Sequence, residues 1–94
     1  MASAKSKVKV FSLSRYVKAA LVRAVYERDE NGVIVAIVPE AAGFFAQGDT
    51  HEEARANLED VIEGNVLLSL QLGWDIPITP GVTVKERDVS ADTP

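Results

Sequence analysis

The chain has no cysteine, one histidine, one methionine and one tryptophan among 94 residues, and aromatic residues make up only 6% of it. Without thiols there is no disulfide framework, no thiolate zinc or iron–sulfur site and no cysteine nucleophile, a composition that suits a reducing cytosol. A long hydrophobic run is missing as well. The most apolar stretch, Val66 to Leu72, is interrupted by Ser69 and Gln71 and is far shorter than the ~20 residues of a membrane-spanning helix. No apolar segment of signal-peptide type follows the lysines of the first nine residues, so the sequence reads as a cytoplasmic protein with no membrane partner. Acid is absent from residues 1–23, which carry Lys5, Lys7, Lys9, Arg15, Lys18 and Arg23. Residues 24–94 set four cations against fourteen acids, a balance of −10. Such a surface serves solubility, repels phosphate backbones and attracts basic partners, so nucleic acid is not the expected ligand.

What is present fits one small globular domain, with 47% apolar and 26% charged residues. A chain of this size buries only about 60–65% of its unfolded surface, which leaves a thin core. Residues 1–11 read as a basic tail, their first part alternatively as a short edge strand; residues 12–87 form the domain, and 88–94 a flexible tail. Ser12 or Ser14 can cap a helix to Ala24, with Val17, Ala20, Leu21 and Ala24 at helical spacing, unless strand character begins as early as Leu21. Val25–Arg28 and Val33–Val38 flank Asn31-Gly32, a dipeptide suited to the positive φ angles of a type I′ hairpin turn. A two-residue turn there sets Arg28 opposite Val35 and Tyr26 opposite Ile37. The second strand is apolar on both faces and so calls for cover on both sides.

Pro39 ends that strand, because it has no N–H for the ladder. Phe44–Gln47 predicts a third strand, in which alternation sends Phe44 and Phe45 to opposite faces. Thr50 and Glu53 form a capping box for a helix that Gly73 closes. Ala54, Leu58, Val61, Asn65, Leu68 and Leu72 give one face of it; Ile62, Val66 and Leu70 widen that face, and Gly64 leaves room for a kink or a close approach. After Gly64 the helix is apolar nearly all round. Trp74 reads as a lid on the core, and Val82–Lys85 as a last short strand. The predicted class is α+β, with a small antiparallel sheet of three to four strands packed on one long helix and a short N-terminal helix before it.

Few residues invite chemistry. His51, in the first helical turn, has no orienting partner or nucleophile by sequence, and reads as an exposed histidine. Asp29-Glu30 and Asp49 with Glu52-Glu53 resemble hard-metal ligands, yet a hairpin tip and a helix cap explain both. The glycines lack the spacing and the lysine of a phosphate loop. Lys7–Phe11 followed by a helix imitates the opening of a ribbon-helix-helix, but the hairpin stands where its second helix belongs. No catalytic residue, metal or cofactor is expected.

The order of the pieces resembles the HicB antitoxin family: Asn31-Gly32; Pro39-Glu40 with Gly43; Gln47-Gly48-Asp49-Thr50; Glu52-Glu53-Ala54; Asn57-Leu58; and Gly73 with Pro77. The likeness spans roughly residues 22–80, and Tyr16–Leu21 is similar to a subset of short stand-alone members. It implies a partial ribonuclease-H-like sheet with its helix, self-association, and binding of a small basic HicA-type RNA-cleaving toxin. Ala41-Ala42 replaces the usual Leu-Pro of the loop, and residues 81–94 are too few for the DNA-binding domain that many members append.

Function is therefore expected to be non-enzymatic capture of a basic toxin. The alternatives are a homo-oligomeric HicB-like protein with another ligand and a metal-dependent nuclease. Toxin contact is expected at Glu27, Asp29, Glu30 and Glu40, acids with no evident cap or core role. A monomer of this size cannot hide a helix apolar all round together with a strand apolar on both faces, so a dimer or tetramer is expected through Val66, Leu67, Leu70 and Phe45.

Overall fold

The structure, a computed structural model, describes residues 7–77, 79–82 and 84–88. Strand β1 (Lys7–Val10) leads into helix α1 (Leu13–Val22), strands β2 (Val25–Arg28), β3 (Ile34–Ile37) and β4 (Phe45–Gly48), helix α2 (His51–Leu72) and strand β5 (Lys85–Asp88). Strands β2, β3 and β4 form one antiparallel sheet in that order, and β1 pairs with β5 in a separate antiparallel ribbon. The architecture is α+β, as the sequence predicts. The short edge-strand reading describes residues 7–10 better than the tail. The last strand lies three residues beyond the predicted Val82–Lys85, and Asp88, assigned to the tail, pairs with Lys7. The rest of both expected tails, residues 1–6 and 89–94, lies outside the described residues.

Helix α1 begins at Ser12, whose hydroxyl accepts from the Arg15 N–H at 3.2 Å. It buries Tyr16, Val17, Ala20 and Leu21, one stripe of a 3.6-residue repeat, and Leu21 stays helical. The hairpin register departs from expectation by one residue: Val25 faces Ile37, Tyr26 faces Ala36, Glu27 faces Val35 and Arg28 faces Ile34. The cause is Asp29. Its Oδ1 accepts from the N–H groups of Asn31 and Val33 at 2.8 and 2.9 Å, and its carbonyl accepts from Gly32 N. That closes a three-residue loop in which Gly32 alone has positive φ, +84°, in place of a two-residue turn needing positive φ at Asn31 as well. A one-residue slip exchanges the faces of a strand. Ile34, Ala36 and Val38 face the core; Val35 and Ile37 face outward.

Two successive turns at Val38–Ala41 and Ala41–Phe44 reverse the chain into β4. Phe44 is 2% exposed and Phe45 62%, on opposite faces as alternation requires. Thr50 caps α2 by accepting from Glu53 N at 3.0 Å, and the Glu53 carboxylate reaches back to Asp49 N at 2.6 Å. Gly48 is buried beneath this turn. A β-carbon there would stand 2.6 Å from Ala54 N, which no side chain permits. Asn57 Nδ2 donates to Gln47 O at 2.8 Å, and Asn65 Nδ2 donates to Gly43 O at 3.4 Å and to Val61 O at 2.9 Å. From Asn57 to Asn65 the helix advances about 12 Å, and from Gln47 to Gly43 the strand retreats about 13 Å. The helix therefore runs antiparallel along β4.

The buried stripe of α2 is Ala54, Leu58, Ile62 and Val66, an i, i+4 ladder, in place of the predicted face through Val61, Leu68 and Leu72. Leu70 would be its next rung, but it is exposed, because the sheet ends beside Asn65. The core closes with Tyr16 packed edge-to-face against Phe44 and Phe11, and with Tyr16 Oη donating to Pro77 O at 2.6 Å. Gly73, with φ +72°, ends the helix as expected.

Candidate functional site

Pairing of Ile34 with Gly48 places the end of β4, and hence the start of α2, beside the hairpin tip. Asp29 and Glu30 from the tip thus share one end of the molecule with Asp49, Glu52 and Glu53. Tyr26 bridges the two elements, its ring 5.6 Å from that of the exposed His51. This end is acidic. The opposite end, where β2 and β4 begin and α2 finishes, is apolar: Val25, Ile37 and Phe45 lie in one row across the outer face of the sheet.

The four acids expected at a partner surface do not converge. Asp29 and Glu30 sit at the tip; Asp29 has neither a cap nor a core role, but its carboxylate is committed to the turn. Glu27 is exposed on the outer face, opposite Val35. Glu40 lies beyond the far end of β3 and is hydrogen-bonded and ion-paired to Arg23, joining the end of α1 to the β3–β4 loop. The Arg23 guanidinium holds the Glu40 carboxyl below its ordinary range, and Glu40 raises Arg23 in turn. Glu40 has a structural partner of its own, whereas Asp49 and Glu52, which the sequence explains as parts of a helix cap, belong with Glu30. Only the β3–β4 register brings them together, and no local motif displays it.

The apolar residues divide as well. Leu67, Leu70 and Phe45 are exposed, as an interface requires. Val66 is not: at 1% exposure it is packed in the chain's own core, where no partner can reach it, and it is withdrawn from the expected interface. Trp74, expected as a core lid, is 57% exposed past the end of α2. Leu68 and Leu72 join it, although the helical pattern assigns them to the buried face.

Among the described residues, no three histidines or carboxylates come close enough to hold a metal ion, and no helix is long and apolar enough to cross a membrane. A shallow pocket of about 290 Å³ lies between Ser12, Arg15, Gly81 and Val82. The Ser12 oxygen there already accepts the helix-capping bond.

A family model described as UPF0150-like matches residues 15–77, from α1 through the turn after α2. The chain belongs to the UPF0150-like family. That family lies within the HicB-like antitoxin clan. Among solved structures, the crystal structure of TTHA0281 from Thermus thermophilus is 30% identical, with a TM-score of 0.72 over 78% of this chain and 91% of the other. No match is found among curated proteins. The UPF0150-like segment contains both the acidic and the apolar end and excludes the β1–β5 ribbon.

Proposed function

We propose that this UPF0150-like protein is an antitoxin-type binding protein of HicB kind, which neutralises a small basic, HicA-type RNA-cleaving toxin by direct complex formation. Family membership carries the reading, and the charge distribution supports it. The −10 balance of residues 24–94 steers a cationic partner toward the protein. The acids at the hairpin tip and the start of α2 offer carboxylates on a rigid hairpin and a capped helix, where lysine and arginine side chains gain charge-assisted hydrogen bonds. Within this reading Glu27, Glu30 and Glu52 make the toxin contacts, while Asp29 holds the turn that presents them. The protein acts by occupying the toxin and performs no chemistry.

The test is co-expression with the adjacent reading frame. The expected neighbour is a lysine-rich chain of roughly one small domain, toxic when produced alone. Growth arrest relieved by this protein, together with a co-purifying complex, supports the reading; arrest without relief and no complex refutes it. A second reading, a self-associating family member with another ligand, draws on the exposed apolar end. The same experiment decides between them.

A further inference from the structure

The two edges of the three-stranded sheet are unlike. Asp29 N–H bonds inward to Val33 O at 2.8 Å, so by antiparallel alternation Glu27 and Val25 also turn their backbone groups toward β3. Tyr26 and Arg28 turn theirs the other way, to the open side of β2. Across the sheet Val38 N–H bonds to Phe44 O at 2.9 Å, and the same alternation turns Gly43, Phe45 and Gln47 toward the outer edge of β4. That edge is occupied: Asn57 and Asn65 of α2 donate to the carbonyls of Gln47 and Gly43. Among the described residues β2 pairs with β3 alone, and α2 packs over β4 and β3. The edge of β2 also lacks the usual guards. It has no proline and no lysine, its register runs without a bulge, and the Arg28 guanidinium folds back onto Gly32 O at 3.2 Å.

We propose that the toxin docks on this edge by adding a strand: an extended basic segment pairs antiparallel with β2 and continues the sheet. The proposal rests on the antitoxin reading above and supplies its mode of binding. The N–H and C=O groups of Tyr26 and Arg28 give the added strand its main-chain hydrogen bonds, and the flanking side chains select the occupant. Glu27 stands between them on the outer face. It meets its opposite number in a non-hydrogen-bonded pair, where side chains approach most closely, and a lysine or arginine belongs there. Glu30 at the tip and Glu52 at the start of α2 add the same sign of charge at that end. On the inner face Tyr26 is half-buried, with its ring 5.6 Å from that of His51, and offers apolar surface beside α2. A segment that alternates cations with apolar residues therefore matches both faces. A second copy of the chain does not. The twofold pairing that uses the free groups of both residues, Tyr26 against Arg28 in each direction, sets Glu27 directly against Glu27, and like charges so placed are destabilising.

Amide hydrogen exchange reads the edge residue by residue. In the free protein the Tyr26 and Arg28 amides should exchange at nearly open-chain rates, while those of Val25 and Glu27 are protected by β3. In the complex with the product of the adjacent reading frame, exchange at Tyr26 and Arg28 should slow at least about 100-fold. Arg28→Pro removes an N–H that β3 does not use and should weaken capture at least about tenfold. Gln47→Pro makes the same change on the occupied edge and should leave capture unchanged. If Arg28→Pro fails to fold, the exchange rates still decide. A complex in which Tyr26 and Arg28 exchange as before overturns the docking edge and leaves the antitoxin reading standing. Protection of both amides in the free protein also overturns it, because the chain itself or a second copy then fills the edge. If no complex forms, the antitoxin reading falls, and a short peptide alternating lysine and valine becomes the probe. Slowed exchange at both amides then keeps the edge as an acceptor of cationic strands, and unchanged exchange overturns it.

Discussion

Tyr16 joins distant parts of the chain by one bond. Its ring is buried between Phe11 and Phe44, and its hydroxyl donates to the carbonyl of Pro77, sixty-one residues away. Burial disfavours the phenolate and raises its pKa above the ordinary 10.0, a rise that the nearby Thr79 hydroxyl opposes without cancelling. The folded-state value is above the unfolded one, so the contribution of Tyr16 is fully present below about pH 10 and is lost as the pH climbs through the folded value. Tyr16→Phe should cost about 0.5–1.5 kcal/mol at neutral pH, through the unpaired carbonyl and the lost bond. Urea midpoints measured between about pH 8 and pH 11 should fall less steeply with pH in the variant than in the wild type. Parallel slopes would mean that the phenol titrates alike in both states.

Helix α2 shows how local chemistry and packing divide the work within one element. Its ends are set by neighbours in sequence, Thr50 with Glu53 at one and Gly73 at the other, and both are legible without any knowledge of tertiary contacts. Gly64, by contrast, has no structural role. It is exposed, its φ is helical, and a β-carbon there meets nothing within 4 Å. The close approach that a mid-helix glycine suggests is absent within the described residues. Gly64→Ala should raise stability by about 0.5–1 kcal/mol, read as a higher urea midpoint with unchanged slope. Destabilisation would mean that the fold does depend on a glycine at that position. The buried stripe is less legible than the caps, because apolar residues after Gly64 occupy every side and their spacing cannot say where the sheet stops. The hairpin divides similarly. Asn31-Gly32 locates it, while the side chain of Asp29 chooses the loop length and so the face of every residue in β3. Pairing of Lys7 with Asp88 joins residues at opposite ends of the chain, and no local pattern reports it.

At the scale of the whole molecule, charge and hydrophobicity are segregated along α2, which starts among carboxylates and finishes among leucines. The resemblance to HicB proteins leads from motif order to the family, yet the gathering of acids at one end follows only from the pairing of Ile34 with Gly48. The polarity makes a kinetic prediction for toxin capture. If the acidic end receives the partner, Glu27→Lys with Glu30→Lys should slow association about tenfold at low ionic strength, because steering depends on the local field. Among the described residues neither carboxylate has a capping bond or ion pair, so the fold should survive the exchange. Glu63→Lys with Asp75→Lys changes net charge by the same amount but lies on the far half of α2 and beyond it, and should slow association much less. The difference should shrink as salt rises and the screening length falls below about 10 Å. Stopped-flow association rates across a salt series measure both effects. Equal slowing by the two pairs would mean that only net charge matters, and the acidic end would lose its claim to the toxin.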